Sequence, residues 1–292
     1  MPAVPFDYHA PATLAEAVSL LGSLGEDAKP LAGGQSLLPL LTLRLVRPRA
    51  VVDLHRLDEL RAVRRDGGTL EVGALVRHRA LERGEGPLVL CPLLQEAAAL
   101  IGNVRVRALG TIGGSLAHAD PAAELPAAVR ALDGTILVQG AAGARAIPAE
   151  EFFAGLLTTA LRPDELLTAV RLPLPGPRTG HAVEEFSRRA GDFAIVAAFA
   201  VVQLDAAGRV AAARVALAGC GPTPRRLDAV ERALVGLAPS EEEIRRVVAH
   251  RPLEIEPDSD VHASAAYRRH LAGVLTVRAL ARAAAGARAF GP

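Results

Sequence analysis

The chain has no tryptophan, one methionine, two cysteines and a single lysine, Lys29, in 292 residues. Aromatic residues make up 3%, too few for the stacking platforms on which single-strand nucleic-acid binders hold bases. Lys plus Arg number 33 against 32 Asp plus Glu, so there is no surplus of positive charge for a polyanion, and nucleic acid is excluded as a main partner. Cys91 and Cys220 form no CxxC pair, which removes a disulfide framework, a zinc knuckle and an iron-sulfur cluster held by this chain alone, the last needing about four thiolates. Lys29 is followed by Pro30, and GxGxxG, HExxH and GxSxG patterns are all missing; the familiar P-loop, Rossmann and simple hydrolase readings fall with them. The longest apolar run, near residues 193 to 204, is short of the roughly 18 residues that span a bilayer. Residues 1 to 12 carry neither a basic nor an apolar targeting segment, so the expectation is a cytoplasmic protein with no membrane span.

What is present is an alanine, leucine and valine core: 50% of the residues are hydrophobic (AVILMFWYC), enough for two domains at this length. Thr13 followed by Glu16 is a capping box that opens a helix through Leu14, Ala17, Val18 and Leu21, stopped by Gly22 and Gly25. Lys29 to Leu31 and Ala50 to Leu54 read as strands joined through a leucine-rich segment expected to be a buried helix from Leu37 to Leu45, which predicts a parallel βαβ start. Leu60 to Arg65 and Thr69 to Ala74 flank Asp66-Gly67-Gly68 as an antiparallel hairpin, with helices near 75 to 83 and 92 to 101. Gly110 to Pro126 reads as a long ordered loop, followed by strands at Thr135 to Gln139 and Glu165 to Leu172.

The cluster Pro173, Pro175, Gly176 and Pro177 marks a linker. Beyond it, 181 to 189, 193 to 204 and 209 to 218 read as three strands, and the remainder as helices ending in the stretch His262 to Phe290. Arg268, Arg269, Arg278, Arg282 and Arg288 in that stretch are expected on the surface. The fold class is α+β, divided into 1–176, with subdomains of about 1–57 and 58–176, and 177–292.

Two loops bear the chemistry: Ala32-Gly33-Gly34-Gln35-Ser36 and Thr111-Ile112-Gly113-Gly114-Ser115. Glycines let a ligand approach the backbone and adopt positive φ, successive amides form an anion nest, and a following helix start favours negative charge. Either loop alone reads more readily as an ordinary turn. His118, Asp120 and Glu124 follow the second loop; they fall short of a zinc ligand set, His118 and Asp120 reading as hydrogen-bonding groups that shape a polar loop, and Glu124 either as an acceptor for a ligand's hydroxyl or amine or as the favourable start of a helix through Leu125 to Leu132.

Together, AGGQSLLPLL and GTIGGSLAHADPAAELPA, with a GDFA turn near 192 and the opening FDYHAPATLAEAV, resemble the FAD-binding medium subunit of the carbon monoxide dehydrogenase and xanthine dehydrogenase family of molybdenum hydroxylases. The resemblance covers nearly the whole chain. It implies a two-subdomain FAD-binding domain of the vanillyl-alcohol-oxidase (PCMH) type, followed by a three-stranded antiparallel sheet with a helical bundle. It further implies that Leu31, Ala32, Gly33, Gly34, Gln35, Ser36, Leu37 and Leu38, with Thr111, Ile112, Gly113, Gly114 and Ser115, wrap the FAD diphosphate. Glu124 falls on an acidic cofactor contact, Ile101 and Leu167 on packing positions, and Phe193 beside the isoalloxazine. Against the family pattern, Ser115 replaces Asn, Glu124 replaces Asp and Phe193 replaces Tyr, and the family lysine before the GD turn is missing, leaving Arg188 and Arg189 nearby.

The resemblance implies no catalytic side chain and no metal ligand in this polypeptide. Molybdopterin would reside on a large partner subunit and two [2Fe-2S] clusters on a small one, the three chains assembling as a dimer of heterotrimers. Two other readings remain open from the residues: a self-contained flavin oxidase of a small substrate, and a non-enzymatic scaffold whose glycine loops are turns.

Overall fold

A computed structural model describes residues 5–289. The first layer is a three-stranded parallel sheet ordered β1-β3-β2, from β1 (Asp7–His9), β2 (Ala28–Leu31) and β3 (Ala50–Asp53). Helix α1 (Leu14–Leu24) connects β1 to β2; Thr13 Oγ1 caps it by accepting from Glu16 N–H at 3.2 Å, and Glu16 Oε2 accepts from Ala12 N–H at 2.8 Å. The expected parallel crossover between β2 and β3 is present, with the short α2 (Leu37–Thr42) inside it. The leucine-rich segment is not the buried helix expected: only Leu41 is buried, while Leu38, Leu43 and Leu45 are exposed. With only six residues, α2 turns one side to the core.

The second layer is a five-stranded antiparallel sheet ordered β4-β5-β10-β6-β7. Its strands are β4 (Val63–Asp66), β5 (Thr69–Gly73), β6 (Thr135–Gly140), β7 (Gly143–Pro148) and β10 (Leu166–Pro173). The predicted hairpin is β4 and β5, paired Val63 to Val72 through Asp66 to Thr69. Helices α3 (His78–Arg83), α4 (Pro92–Leu100), α5 (Val104–Leu109), α6 (Ile112–His118), α7 (Glu124–Ala131) and α8 (Ala149–Phe152) intervene, with the small β8 (Phe153–Gly155) and β9 (Thr158–Thr159) pair. Gly110 to Pro126 is therefore not a loop throughout, because α6 occupies its first half, while α7 is the helix expected from Glu124 onward. Gly113 and Gly114 look like breakers in sequence, yet Thr111 Oγ1 caps α6 by accepting from Gly114 N–H at 3.1 Å, and the cap overrides the weak helix propensity of glycine.

The last sheet, β11 (Thr179–Phe186), β12 (Val196–Leu204), β13 (Val210–Ala218) and β14 (Arg225–Arg226), is antiparallel in that order. The expected three strands are joined by the two-residue β14, which pairs with Ala216 and Leu217. Helices α9 (Asp228–Leu234), α10 (Glu241–His250) and α11 (Ala265–Ala289) follow; Phe290 lies outside the described residues. Both faces of β12 are buried: Ala197, Phe199 and Val201 join the core of the first half, while Val196, Ala198, Ala200 and Val202 join the core beneath α9 to α11. This is why β12 reads as an unbroken apolar run rather than an alternating one. Among the described residues, no helix is long and apolar enough to cross a membrane.

The arginines of α11 are not all at the surface. Arg268 is buried, donating to the carbonyls of Ile195 and Gly219 and pairing with Asp260 at 2.7 Å. Arg282 bridges Glu96 of α4, Glu184 of β11 and the Val183 carbonyl.

Candidate functional site

The two glycine loops pack against each other. The first leaves the end of β2 at Leu31 and reverses at Gly34, whose φ of +71° lies in the left-handed region that glycine occupies freely. A Cβ on Gly33 would stand 2.3 Å from the Leu109 carbonyl oxygen and 2.8 Å from Gly110 Cα, so only glycine allows this seating on the approach to the second loop. A Cβ on Gly114 would be 2.8 Å from Thr111 Oγ1, the cap of α6, and 3.7 Å from Ala32 Cβ, so Gly114 sits between its own helix cap and the first loop.

Their amides differ. No protein acceptor among the described residues takes the N–H groups of Gly33, Gly34, Gln35 or Ser36, whereas Gln35 Nε2 donates to the Gly33 carbonyl at 3.0 Å. In the second loop Ile112 N–H donates to the Val76 carbonyl, Gly113 to Ala74, Gly114 to Thr111 Oγ1 and Ser115 to the Thr111 carbonyl. The expectation that both loops offer all their amides to an anion is not met: the amides of Ile112 to Ser115 in the second loop are committed to strand-end carbonyls and to helix α6. Positive φ, expected for both glycine pairs, occurs at Gly34 but not at Gly33, Gly113 or Gly114. Gly113 is glycine because a Cβ there would meet Ala74 Cβ at 2.6 Å and its carbonyl oxygen at 2.7 Å.

From Leu109, beside the loops, α5 leads back about 9 Å to a cavity of about 680 Å³ between the two halves, lined by Leu100, Gly102, Asn103, Arg107, Glu185 and Gly191, among others. Asn103 caps α5, its Oδ1 accepting from the amides of Arg105 and Val106. Arg107 donates to Glu82 at 3.0 Å and to the carbonyls of Ile101 and Gly102. Ile101 closes α4 and is buried, and a Cβ on Gly191 would lie 2.8 Å from the Gly102 carbonyl oxygen. The β11–β12 turn bearing exposed Phe193 thus leans on the end of α4. Leu167 is buried in β10 beside a register shift opposite β6 and is not part of the cavity lining.

The domain family described as the FAD binding domain in molybdopterin dehydrogenase matches residues 4–175, and the CO dehydrogenase flavoprotein C-terminal domain matches residues 181–283. The chain belongs to the CO dehydrogenase flavoprotein family. It is 38% identical over 283 residues to the carbon monoxide dehydrogenase medium chain of Afipia carboxidovorans, covering 97% of this chain and 98% of that one. It is 40% identical over 279 residues to the 6-hydroxypseudooxynicotine dehydrogenase complex subunit alpha of Paenarthrobacter nicotinovorans, covering 95% and 94%. Among solved structures, carbon monoxide dehydrogenase from Hydrogenophaga pseudoflava, in a form lacking the Mo-pyranopterin moiety of its cofactor, superposes with a TM-score of 0.93 at 39% identity, covering 98% of this chain and 99% of that chain.

In this flavoprotein the residues suit an FAD. The first loop supplies open amides, Gly114 leaves a face that a Cβ would occupy, and Arg77 places its guanidinium at the loop junction, where Nη1 donates to the Leu109 carbonyl. Glu124, the first residue of α7, is 4% exposed; burial pushes its carboxyl up to about 8, with the charges of Glu185 and Asp120 adding to the effect. Burial likewise raises Glu185 to about 7.

Sequence reasoning missed Arg77, Asn103, Arg107 and Glu185. The signal for Glu185 was available: strand alternation sets it two residues from Val183, on the face that joins the core of the first half. Arg77 and Arg107 gave no signal, because their roles come from neighbours distant in sequence.

Proposed function

We propose that this chain is the FAD-binding medium subunit of a cytoplasmic heterotrimeric molybdenum hydroxylase, assembled as a dimer of heterotrimers. The observation that carries this reading is the packing of the two glycine loops onto each other within a chain that the two family domains cover almost throughout. Residues 1–176 hold the cofactor and 177–292 close one side of the cavity. The diphosphate is assigned to the open amides from Gly33 to Ser36, flanked by Leu31, Ala32, Leu37 and Leu38. Thr111, Ile112, Gly113 and Ser115 build the opposite wall, and Gly114 leaves room between. The isoalloxazine is assigned to the cavity near Ile101, Glu124 and Phe193, with Leu167 in the supporting strand.

When bound, FAD supplies two-electron storage between one-electron [2Fe-2S] clusters on a small partner subunit and an external acceptor, while a large subunit carries the molybdopterin that oxidises substrate. The chain's own residues bind, orient and shield; it contributes no nucleophile and no metal ligand. The names of the relatives, a medium chain and a complex subunit, support this division of labour.

FAD extracted from the purified complex tests the assignment. Gly114→Val crowds the Thr111 cap of α6 and fills the face toward Ala32, and Gly34→Val forces a β-branched residue to positive φ. Each is expected to lower FAD occupancy about tenfold, equivalent to ~1.4 kcal/mol of binding, with circular dichroism confirming that the chain folds. Full FAD in both folded variants would refute the binding assignment.

A further inference from the structure

Glu185 lines the cavity between α4–α5 and the β11–β12 turn, and its carboxyl has no hydrogen bond or ion pair among the described residues. Its Oε2 is enclosed by protein without a partner. A negative charge there lacks both water and donors on one oxygen, whereas a neutral carboxyl can leave Oε2 as a carbonyl and present its O–H on Oε1.

The surrounding charges leave Glu185 uncompensated. Arg107, from α5, is committed to Glu82 and two carbonyls. Arg188 and Asp192 in the turn pair with each other at 3.5 Å, and Arg282 of α11 engages Glu184 and Glu96 of α4. Arg189 is exposed in the same turn, and His181, on the same strand, is held neutral-favouring by burial. The remaining charged neighbours, Glu124 at the start of α7 and Asp120 before it, are acidic.

We propose that Glu185 is a positioning acid for the flavin: its carboxyl O–H donates a hydrogen bond to the isoalloxazine seated in this cavity. This rests on the functional reading above. The two carboxyls form a coupled pair whose proton losses fall near neutral pH, at about 7 and about 8, Glu185 ionising first and its charge holding the proton on Glu124. Reduction adds negative charge to the flavin and raises the affinity of Glu185 for its proton. Within the pH window between its two affinities, reduction therefore takes up one additional proton from solvent per two electrons.

The test is the two-electron flavin potential of the purified complex between pH 6 and pH 9. The wild type is expected to show an added slope of one proton, a tenfold change in the redox equilibrium per pH unit or about 30 mV, beginning near pH 7. Glu185→Gln should retain FAD and lose that slope, so that the wild type falls below it progressively as pH rises. Glu124→Gln should keep the slope and its onset near pH 7, because Glu124 still holds its proton when Glu185 ionises; a slope lost in that variant instead would assign the proton to Glu124 and overturn the proposal. Parallel pH profiles for the wild type and Glu185→Gln, both carrying full FAD, would overturn the proposal and leave the binding assignment standing. A wild-type complex without FAD would instead defeat the functional reading on which it rests.

Discussion

His78 supports the second loop from behind. Its backbone N–H donates to the Gly110 carbonyl at 3.0 Å, and its ring packs so closely on Gly110 that a Cβ there would be 2.6 Å from Nδ1. The imidazole is 6% exposed, neither ring nitrogen has a hydrogen-bond partner, and burial lowers its pKa from 6.5 to about 4. The unfolded chain therefore binds a proton at this residue between about pH 6.5 and 4 while the folded chain does not, and stability falls as pH drops through that window. The shift corresponds to about 3 kcal/mol at full extent. His78→Leu removes the titration, so urea midpoints at pH 7 and pH 4.5 should show the wild type losing about 2 kcal/mol more than the variant. Equal losses would mean that His78 keeps an ordinary proton affinity in the fold.

Glycine sets the distance between elements where α11 crosses the last sheet. A Cβ on Gly180 of β11 would meet the Ala283 carbonyl oxygen at 2.0 Å and the Ala287 nitrogen at 2.3 Å, both backbone atoms that cannot rotate away. One on Gly286, facing it from α11, would meet only Gly180 Cα at 3.7 Å, an ordinary contact. Gly180→Ala should therefore destabilise by about 3 kcal/mol through overpacking, and Gly286→Ala should be neutral or stabilise by up to ~1 kcal/mol through helix propensity. Chemical denaturation of the pair checks the contrast; equal effects would show that α11 shifts freely on the sheet. The same local logic explains what the sequence discloses. The capping box of α1, the β4–β5 hairpin and the β2–β3 crossover are written in near neighbours, and they fold as read. Helix α6 is hidden because Gly113 is selected by contact with Ala74, 39 positions before it, and β14 because two residues carry no period. The loop sequences identify a ligand type, but which amides stay open depends on strand ends that only the assembled fold supplies.

At the scale of the molecule, the two halves are joined by a charged network as well as by β12. Arg226 of β14 binds Glu231 of α9 through two contacts of 2.6 and 2.5 Å, then reaches across to Asp133 at 2.5 Å and the Arg130 carbonyl at 3.1 Å in the first half. Arg214 of β13 also pairs with Asp133. Glu231 is 7% exposed and its Oε1 additionally accepts from Val215 N–H at 2.8 Å, so it is fixed in place whether or not Arg226 is present. Arg226→Met leaves this carboxylate buried without its cation, a change that costs about 3–5 kcal/mol. Because the lost contacts span both halves, the damage should appear as uncoupling: calorimetry is expected to resolve two unfolding transitions in Arg226→Met, with the C-terminal half melting first. Adding Glu231→Gln removes the stranded charge and should recover part of the stability while the cross-half contacts to Asp133 and Arg130 stay lost. A single transition shifted by less than about 1 kcal/mol would mean that the shared apolar face of β12 holds the halves together without help from Arg226.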